Sequence, residues 1–159
     1  MSELSIGDIA PDFTAPAVTR GGEQTISLSD FKGKSSLVLY FYPADDTPGC
    51  TVEACSFRDM LSDFEAVGSA IVGVSPNTIS SHIKFAEKHA LPFPLIADPD
   101  HAIAEAYGAW REKVNYGKRY MGIQRSTFVI DKSGKIAKIW ASVKVDQHAE
   151  KVLAIVKAL

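Results

Sequence analysis

The sequence predicts one α/β domain, residues 1–159, built on a mixed β-sheet with helices on both faces. Three observations carry that prediction. Residues 36–42 (Ser-Leu-Val-Leu-Tyr-Phe-Tyr) are apolar on both faces, as a strand in the middle of a covered sheet must be. A helical period follows, with Phe57, Met60, Leu61, Phe64 and Val67 recurring at spacings of three and four. Strand and helix then alternate until a hairpin turn at Asp131-Lys132-Ser133-Gly134 and a last amphipathic stretch close the chain.

Each element has a local reason. Residues 1–35 are rich in Gly, Pro, Ser and Thr, which predicts an N-terminal β-hairpin with short strands near 13–18 and 25–27. Pro43 ends the central strand. Thr47 is a good N-cap residue and Pro48 suits the first helical position, where its missing N–H costs nothing. Residues 70–74 form a second buried strand, 78–89 a helix, 95–97 a weaker strand and 103–107 a short helix. Residues 114–124, rich in Tyr, Gly, Lys and Arg, read as a loop. Strands at 127–130 and 136–140 flank the hairpin turn, and Val152, Ile155, Val156 and Leu159 mark the apolar face of the closing helix. The order of elements puts the loop after Tyr42 at the carboxyl end of a central strand, the edge where open α/β sheets place their chemistry.

Composition removes several classes of function. At 46% hydrophobic and 23% charged residues the chain is ordinary for a globular domain, which excludes disorder and coiled coil. Lys plus Arg total 17 against 19 Asp plus Glu, so the basic excess that nucleic acid demands is missing. The opening Met1-Ser2-Glu3-Leu4-Ser5 lacks the basic and apolar regions of a signal peptide, and no apolar run is long enough to cross a bilayer, so no membrane partner and a cytoplasmic location are expected. Two cysteines are too few for a stapled scaffold, and His82, His89, His101 and His148 are scattered away from metal-ligand spacing. Neither a metal nor another cofactor is expected.

Those two cysteines, Cys50 and Cys55, are the informative residues. Cys50 falls in the first turn of the helix that Thr47 opens, where unpaired N–H groups and the positive dipole end favour a thiolate, the nucleophilic form. Gly49 beside it leaves space for a small substrate to approach the backbone. On a regular helix, positions five apart lie about 140° round the axis and about 8.6 Å between Cα atoms. A disulfide needs about 4.4–6.8 Å. The spacing therefore predicts two thiols that stay separate when reduced and join only after the first turns unwind. Cys55 alone would pass for an inert core residue.

Pro43-x-x-x-Thr47-x-x-Cys50 resembles the active-site signature of the peroxiredoxins. The longer run from Tyr42 to Cys55 is similar to their bacterioferritin comigratory protein, or peroxiredoxin Q, branch, as are Gly122-Ile123-Gln124-Arg125-Ser126-Thr127-Phe128 and Gly7-Asp8-x-Ala10-Pro11-Asp12-Phe13. The resemblance spans essentially the whole chain. It implies a thioredoxin-like fold and a thiol-dependent peroxidase that reduces hydrogen peroxide and organic hydroperoxides without a cofactor. Cys50 would be the peroxidatic cysteine and Cys55 the resolving cysteine, joined as an intramolecular disulfide. Thr47 would orient substrate and thiolate, Pro43 would shield the sulfur from water, and Arg125 would supply a fixed positive charge. Glu53 would hold that arginine, although a first-turn glutamate is also explained by the helix dipole. The implied reductant is thioredoxin, or glutaredoxin. A resolving cysteine in the same helix removes the need for a partner subunit, which favours a monomer.

Two other functions compete. A protein thiol–disulfide oxidoreductase is opposed by the absence of Cys-x-x-Cys and by Arg125-Ser126 where a thioredoxin carries proline. A redox sensor or holdase would react slowly with peroxide and capture a partner only when oxidised. Among the remaining residues, Asp45 and Asp46 read as a solvated turn, Asp98-Pro99-Asp100 as a turn before a helix, and Trp110 and Trp140 as packing residues. His148 is expected in the first turns of the last helix. The segment from Lys113 to Arg119 reads as a surface loop that could receive the reductant protein.

Overall fold

A seven-stranded mixed sheet, in the order β2-β1-β5-β4-β3-β8-β9, organises the computed structural model, which describes residues 4–20 and 22–159. Met1, Ser2 and Glu3, part of the opening stretch read for a targeting signal, lie outside the described residues. The strands are β1 (Thr14–Thr19), β2 (Gly22–Ser27), β3 (Ser36–Phe41), β4 (Ser69–Ser75), β5 (Leu95–Ala97), β8 (Ser126–Ile130) and β9 (Ile136–Trp140). The helices are α1 (Pro48–Ala66), α2 (Ile79–His89), α3 (Ala102–Ala106) and α4 (His148–Lys157). β3, β4 and β5 run parallel, while β8 returns antiparallel to β3 and the β1–β2 hairpin closes the other side against β5.

Every residue of β3 is buried, and its side chains divide between two cores. Leu37, Leu39 and Phe41 join Ile103, Tyr107 and Phe128 on one face. Val38 and Tyr40, continued by Tyr42, join Phe57 and Phe64 of α1, Phe85 of α2 and Val152 of α4 on the other. Period-two alternation with both sides covered is the reason the strand reads as unbroken apolar sequence. Phe57 is fully buried, with its ring centroid 5.0 Å from that of Tyr40, and packs α1 onto the sheet. Burial of such a side chain contributes about 1.5–3 kcal/mol. Glycine is required at position 73, opposite Tyr40 in the β3–β4 pairing: a Cβ there would lie 2.9 Å from the Tyr40 hydroxyl.

One segment departs from the sequence reading. Of residues 114–124, expected as a loop, all but Gln124 belong to an antiparallel ribbon of β6 (Trp110–Asn115) and β7 (Lys118–Ile123). Its turn is Tyr116-Gly117, both with positive φ (51° and 78°), which is the geometry that suits a two-residue hairpin. The ribbon stands off the main sheet, so most of its side chains face water and no apolar alternation marks it. The Tyr-Gly turn was the available signal.

Register carries the geometry that matters for chemistry. Phe41 pairs with Ser126, so the residue before Ser126 is delivered to the carboxyl end of β3, beside the start of α1. Among the described residues, no helix is long and apolar enough to cross a membrane.

Candidate active site

α1 begins where the chain leaves β3 through Tyr42-Pro43-Ala44-Asp45-Asp46-Thr47. Thr47 occupies the N-cap position with extended backbone (φ −89°, ψ 155°), and Pro48 is the first helical residue. The Thr47 hydroxyl makes no cap to the helix, however; it donates to the Ala44 carbonyl at 3.1 Å. Pro43 and Thr47 are half-buried in the loop adjoining Cys50.

Cys50 is 1% exposed and belongs to the core beneath α1. Arg125, from the turn between β7 and β8, reaches it with Nη2 3.2 Å from Sγ. The same guanidinium donates from Nη1 to Glu53 Oε1 at 2.7 Å. Glu53 lies three residues after Cys50 and so faces the same side of the helix. Its side chain is 1% exposed and that of Arg125 17%, which makes this a largely buried, charge-assisted contact. Burial pushes the Glu53 carboxyl up to about 7 despite the opposing pull of Arg125. Burial works against the charged Arg125 as well, but Glu53 and Cys50 outweigh it and raise its pKa.

Gly49 has a different use from the one expected. A Cβ at this position would lie 3.2 Å from Nη2 of Arg125, so the missing side chain makes room for the guanidinium. Cys55 is half-buried further along α1, and both cysteines are free thiols. The structure thus brings Arg125 into direct contact with both Cys50 and Glu53, sets Pro43 and Thr47 in the adjoining loop, and holds Cys55 apart on an intact helix.

Several residues read as background have defined partners. Asp45 is not solvated: its carboxylate accepts from the Tyr42 hydroxyl at 2.7 Å, from Ser81 Oγ at 2.7 Å and from His82 Nδ1 at 2.6 Å. The solvated member of the pair is Asp46, which meets Lys88 on the surface. His148 opens α4, as expected in position, but is buried against Trp140 and Phe57 and shares a 2.8 Å hydrogen bond with Thr127. Burial lowers its pKa to about 4. Lys113, read in the sequence as the start of a surface loop, lies on β6; burial lowers its pKa, and the nearby charge of Arg125 acts in the same direction. Sequence spacing could reveal none of these tertiary meetings, although residues 81 and 82 do fall in the first turn of a well-capped α2.

A thioredoxin-like α/β domain with a thiol at a helix start and an arginine on its sulfur defines a class of thiol-based redox proteins. The chain belongs to the AhpC/TSA family, whose model matches residues 6–139. It is 50% identical over 155 residues to Peroxiredoxin Bcp of Bacillus subtilis, covering 97% of this chain and 96% of that one. Against Peroxiredoxin Bcp of Escherichia coli K12 the identity is 43% over 153 residues, with 96% of each chain covered. A solved structure of the bacterioferritin comigratory protein of Xanthomonas campestris, described in terms of its alkyl peroxide reduction activity, superposes with a TM-score of 0.87 at 39% identity, over 98% of this chain and 96% of that one. The chain is a peroxiredoxin, a thiol-dependent peroxidase with peroxide substrates and a thiol reductant.

Proposed function

We propose that Cys50 is the peroxidatic cysteine and that it reduces hydrogen peroxide and alkyl hydroperoxides within a single catalytic domain, residues 1–159. The observation that carries this reading is the fork of Arg125, with one nitrogen on the Cys50 sulfur and the other on Glu53. A permanently charged, planar donor held on a sulfur can also reach a peroxide oxygen brought against that sulfur. The Cys50 thiolate attacks the terminal peroxide oxygen, the O–O bond breaks, and the departing alkoxide or hydroxide takes a proton to leave as alcohol or water. Cys50 is left as a sulfenic acid. Donors aimed at the departing oxygen stabilise the charge that develops there, an effect commonly worth two to three orders of magnitude in rate, or about 3–4 kcal/mol. Arg125 is that donor in this reading, and the Thr47 hydroxyl, whose own proton goes to the Ala44 carbonyl, offers its oxygen to orient the peroxide O–H. Pro43 limits water at the sulfur, and Glu53 fixes the guanidinium.

Cys55 then attacks the sulfenic sulfur and water leaves, forming an intramolecular disulfide. On intact α1 the two sulfurs cannot meet, so the first turns must unwind. A dithiol protein of the thioredoxin or glutaredoxin type restores both thiols and becomes oxidised itself. Because both cysteines lie on one helix, the cycle needs no second subunit, and the working unit is a monomer in the cytoplasm.

Stopped-flow oxidation of the reduced protein by hydrogen peroxide and by a bulky alkyl hydroperoxide, with mass analysis of the product, tests the reading. Loss of two hydrogens, with the new bond mapped to Cys50 and Cys55, is the expected result. Peroxidase activity retained in Cys50→Ser would overturn it.

A further inference from the structure

The loop between β3 and α1 is held from behind by a polar cluster that the peroxidase reaction does not itself require. Asp45 and His82 are both nearly absent from the surface, with side chains 4% and 0% exposed. His82 Nε2 faces the carbonyl of Ile96 at 2.9 Å, and a carbonyl only accepts, so Nε2 carries a proton. Nδ1 lies 2.6 Å from Asp45 Oδ2, which ties the imidazole ring to the carboxylate. Ser81 donates to the same oxygen, and Tyr42 donates to Oδ1. Burial holds the Tyr42 phenol well above its usual pKa, so it stays a donor. The Asp45 backbone N–H is taken at 2.6 Å by Asn77, which stands just before α2. Both oxygens of Asp45 and its amide are therefore satisfied by groups just after β3, before α2, or in the first turn of α2.

The same helix meets the redox segment at two further points. Lys88, near the end of α2, reaches Asp46 at 2.8 Å, but both side chains are exposed, so this surface pair holds the loop only weakly. Arg58, on α1 beyond Cys55, donates to the carbonyl of His89 at 2.6 Å. Between these anchors lie residues 47–57, the segment containing both cysteines.

We propose that Asp45, braced by His82 and Ser81, is a positioning residue that fixes the Pro43–Thr47 loop on α2, so that the loop stays in place while the helical turns carrying Cys50 and Cys55 unwind and rewind. The proposal rests on the reading of Cys50 and Cys55 given above. The brace keeps Thr47 and Pro43 registered for the peroxide step. It also gives the unwound segment a fixed upstream end from which α1 can re-form after reduction.

The test uses the full chain in a Cys55→Ser background, where oxidation halts at the sulfenic acid. Asp45→Asn and Ser81→Ala are compared with Lys88→Ala, which breaks only the surface contact to Asp46. Asp45→Asn is expected to slow sulfenic acid formation at least tenfold in the folded fraction. Ser81→Ala should act in the same direction more weakly, Ser81→Thr should restore the rate, and Lys88→Ala should stay within twofold of the parent. With Cys55 present, the step from sulfenic acid to disulfide in Asp45→Asn should be as fast as in the parent or faster. A residue that only stabilised the fold would change the melting temperature and leave the rate of the folded fraction unaltered, so an Asp45→Asn rate within twofold of the parent overturns the proposal. If Asp45→Asn does not fold, Ser81→Ala against Ser81→Thr decides it by the same rate. Failure of the brace leaves Cys50 oxidised at the parental rate, whereas failure of the underlying reading leaves no oxygen on Cys50 at all.

Discussion

Nη2 of Arg125 lies 3.2 Å from Sγ of Cys50, although the two residues are 75 positions apart in the chain. The contact exists because β8 runs antiparallel to β3 and starts level with its carboxyl end, where α1 begins. One guanidinium face is thereby shared between a thiol and the carboxylate of Glu53. The arrangement combines a fixed charge with a fixed direction.

Arg125→Lys should therefore behave as a loss and not as a conservative change. An ammonium cannot serve Cys50 and Glu53 from two nitrogens at once. The second-order rate of Cys50 oxidation should fall by about two to three orders of magnitude, the range found when a donor to a developing oxyanion is removed. Stopped-flow traces of Arg125→Lys against the parent, both in Cys55→Ser, check this.

Cys55→Ser should separate the two chemical steps. The first equivalent of peroxide should still oxidise Cys50, giving a gain of one oxygen by mass. Excess peroxide should then drive the trapped sulfenic acid to sulfinic acid, since no thiol in the same helix intercepts it. Recycling by thioredoxin should stop. Continued turnover with thioredoxin in this variant would show that Cys55 is not the resolving thiol.

Acid–base titration of two buried groups should shape stability in opposite senses. Glu53 titrates near 7 when folded, well above the ordinary glutamate value of about 4.3. Between those values the folded state binds more protons than the unfolded state, so this group lowers stability as pH rises towards 7. His148 is depressed to about 4, so its contribution is present above about 6.5 and is lost as pH falls through 4. Glu53→Gln should thus lose less stability than the parent as pH rises from 5 to 8. His148→Gln should make unfolding less sensitive to acid between pH 6.5 and 4. Urea titrations at a series of pH values measure both slopes.

Much of this architecture was legible in the chain because its signals are local. The apolar run of β3, the Thr47-Pro48 helix start and the Asp131–Gly134 turn each report nearest neighbours, and the resemblance carried by residues 42–55 and 122–128 named the candidate side chains. The ribbon of β6 and β7 was not legible, because a strand pair that packs on the core only at its base, through Trp110 and Ile123, writes no alternation into its sequence. Asp45 was misread for a related reason. An aspartate in a turn is ordinarily solvated, and only the packing of α2 against that turn turns it into an acceptor for Tyr42, Ser81 and His82. Such meetings depend on tertiary placement, which spacing along the chain does not encode.

Gly49→Ala offers a test in which stability and activity should move apart. Gly49 lies inside α1 and not at a left-handed position, so alanine there relieves the entropic cost of a helical glycine and should stabilise the fold by up to about 1 kcal/mol. The new Cβ would stand 3.2 Å from Nη2 of Arg125, tighter than an ordinary contact. The guanidinium is half of a buried pair with Glu53 and has little freedom to retreat, so the displacement should fall on the Nη2–Sγ contact. Cys50 oxidation should slow about tenfold, the effect of roughly 1.4 kcal/mol at the transition state. Urea unfolding and stopped-flow oxidation measured on the same preparation separate the two quantities. An unchanged oxidation rate would mean that Arg125 can move by a few tenths of an ångström without loss. The arginine would then act through its charge alone, and Arg125→Lys should be far milder than a loss of two orders of magnitude.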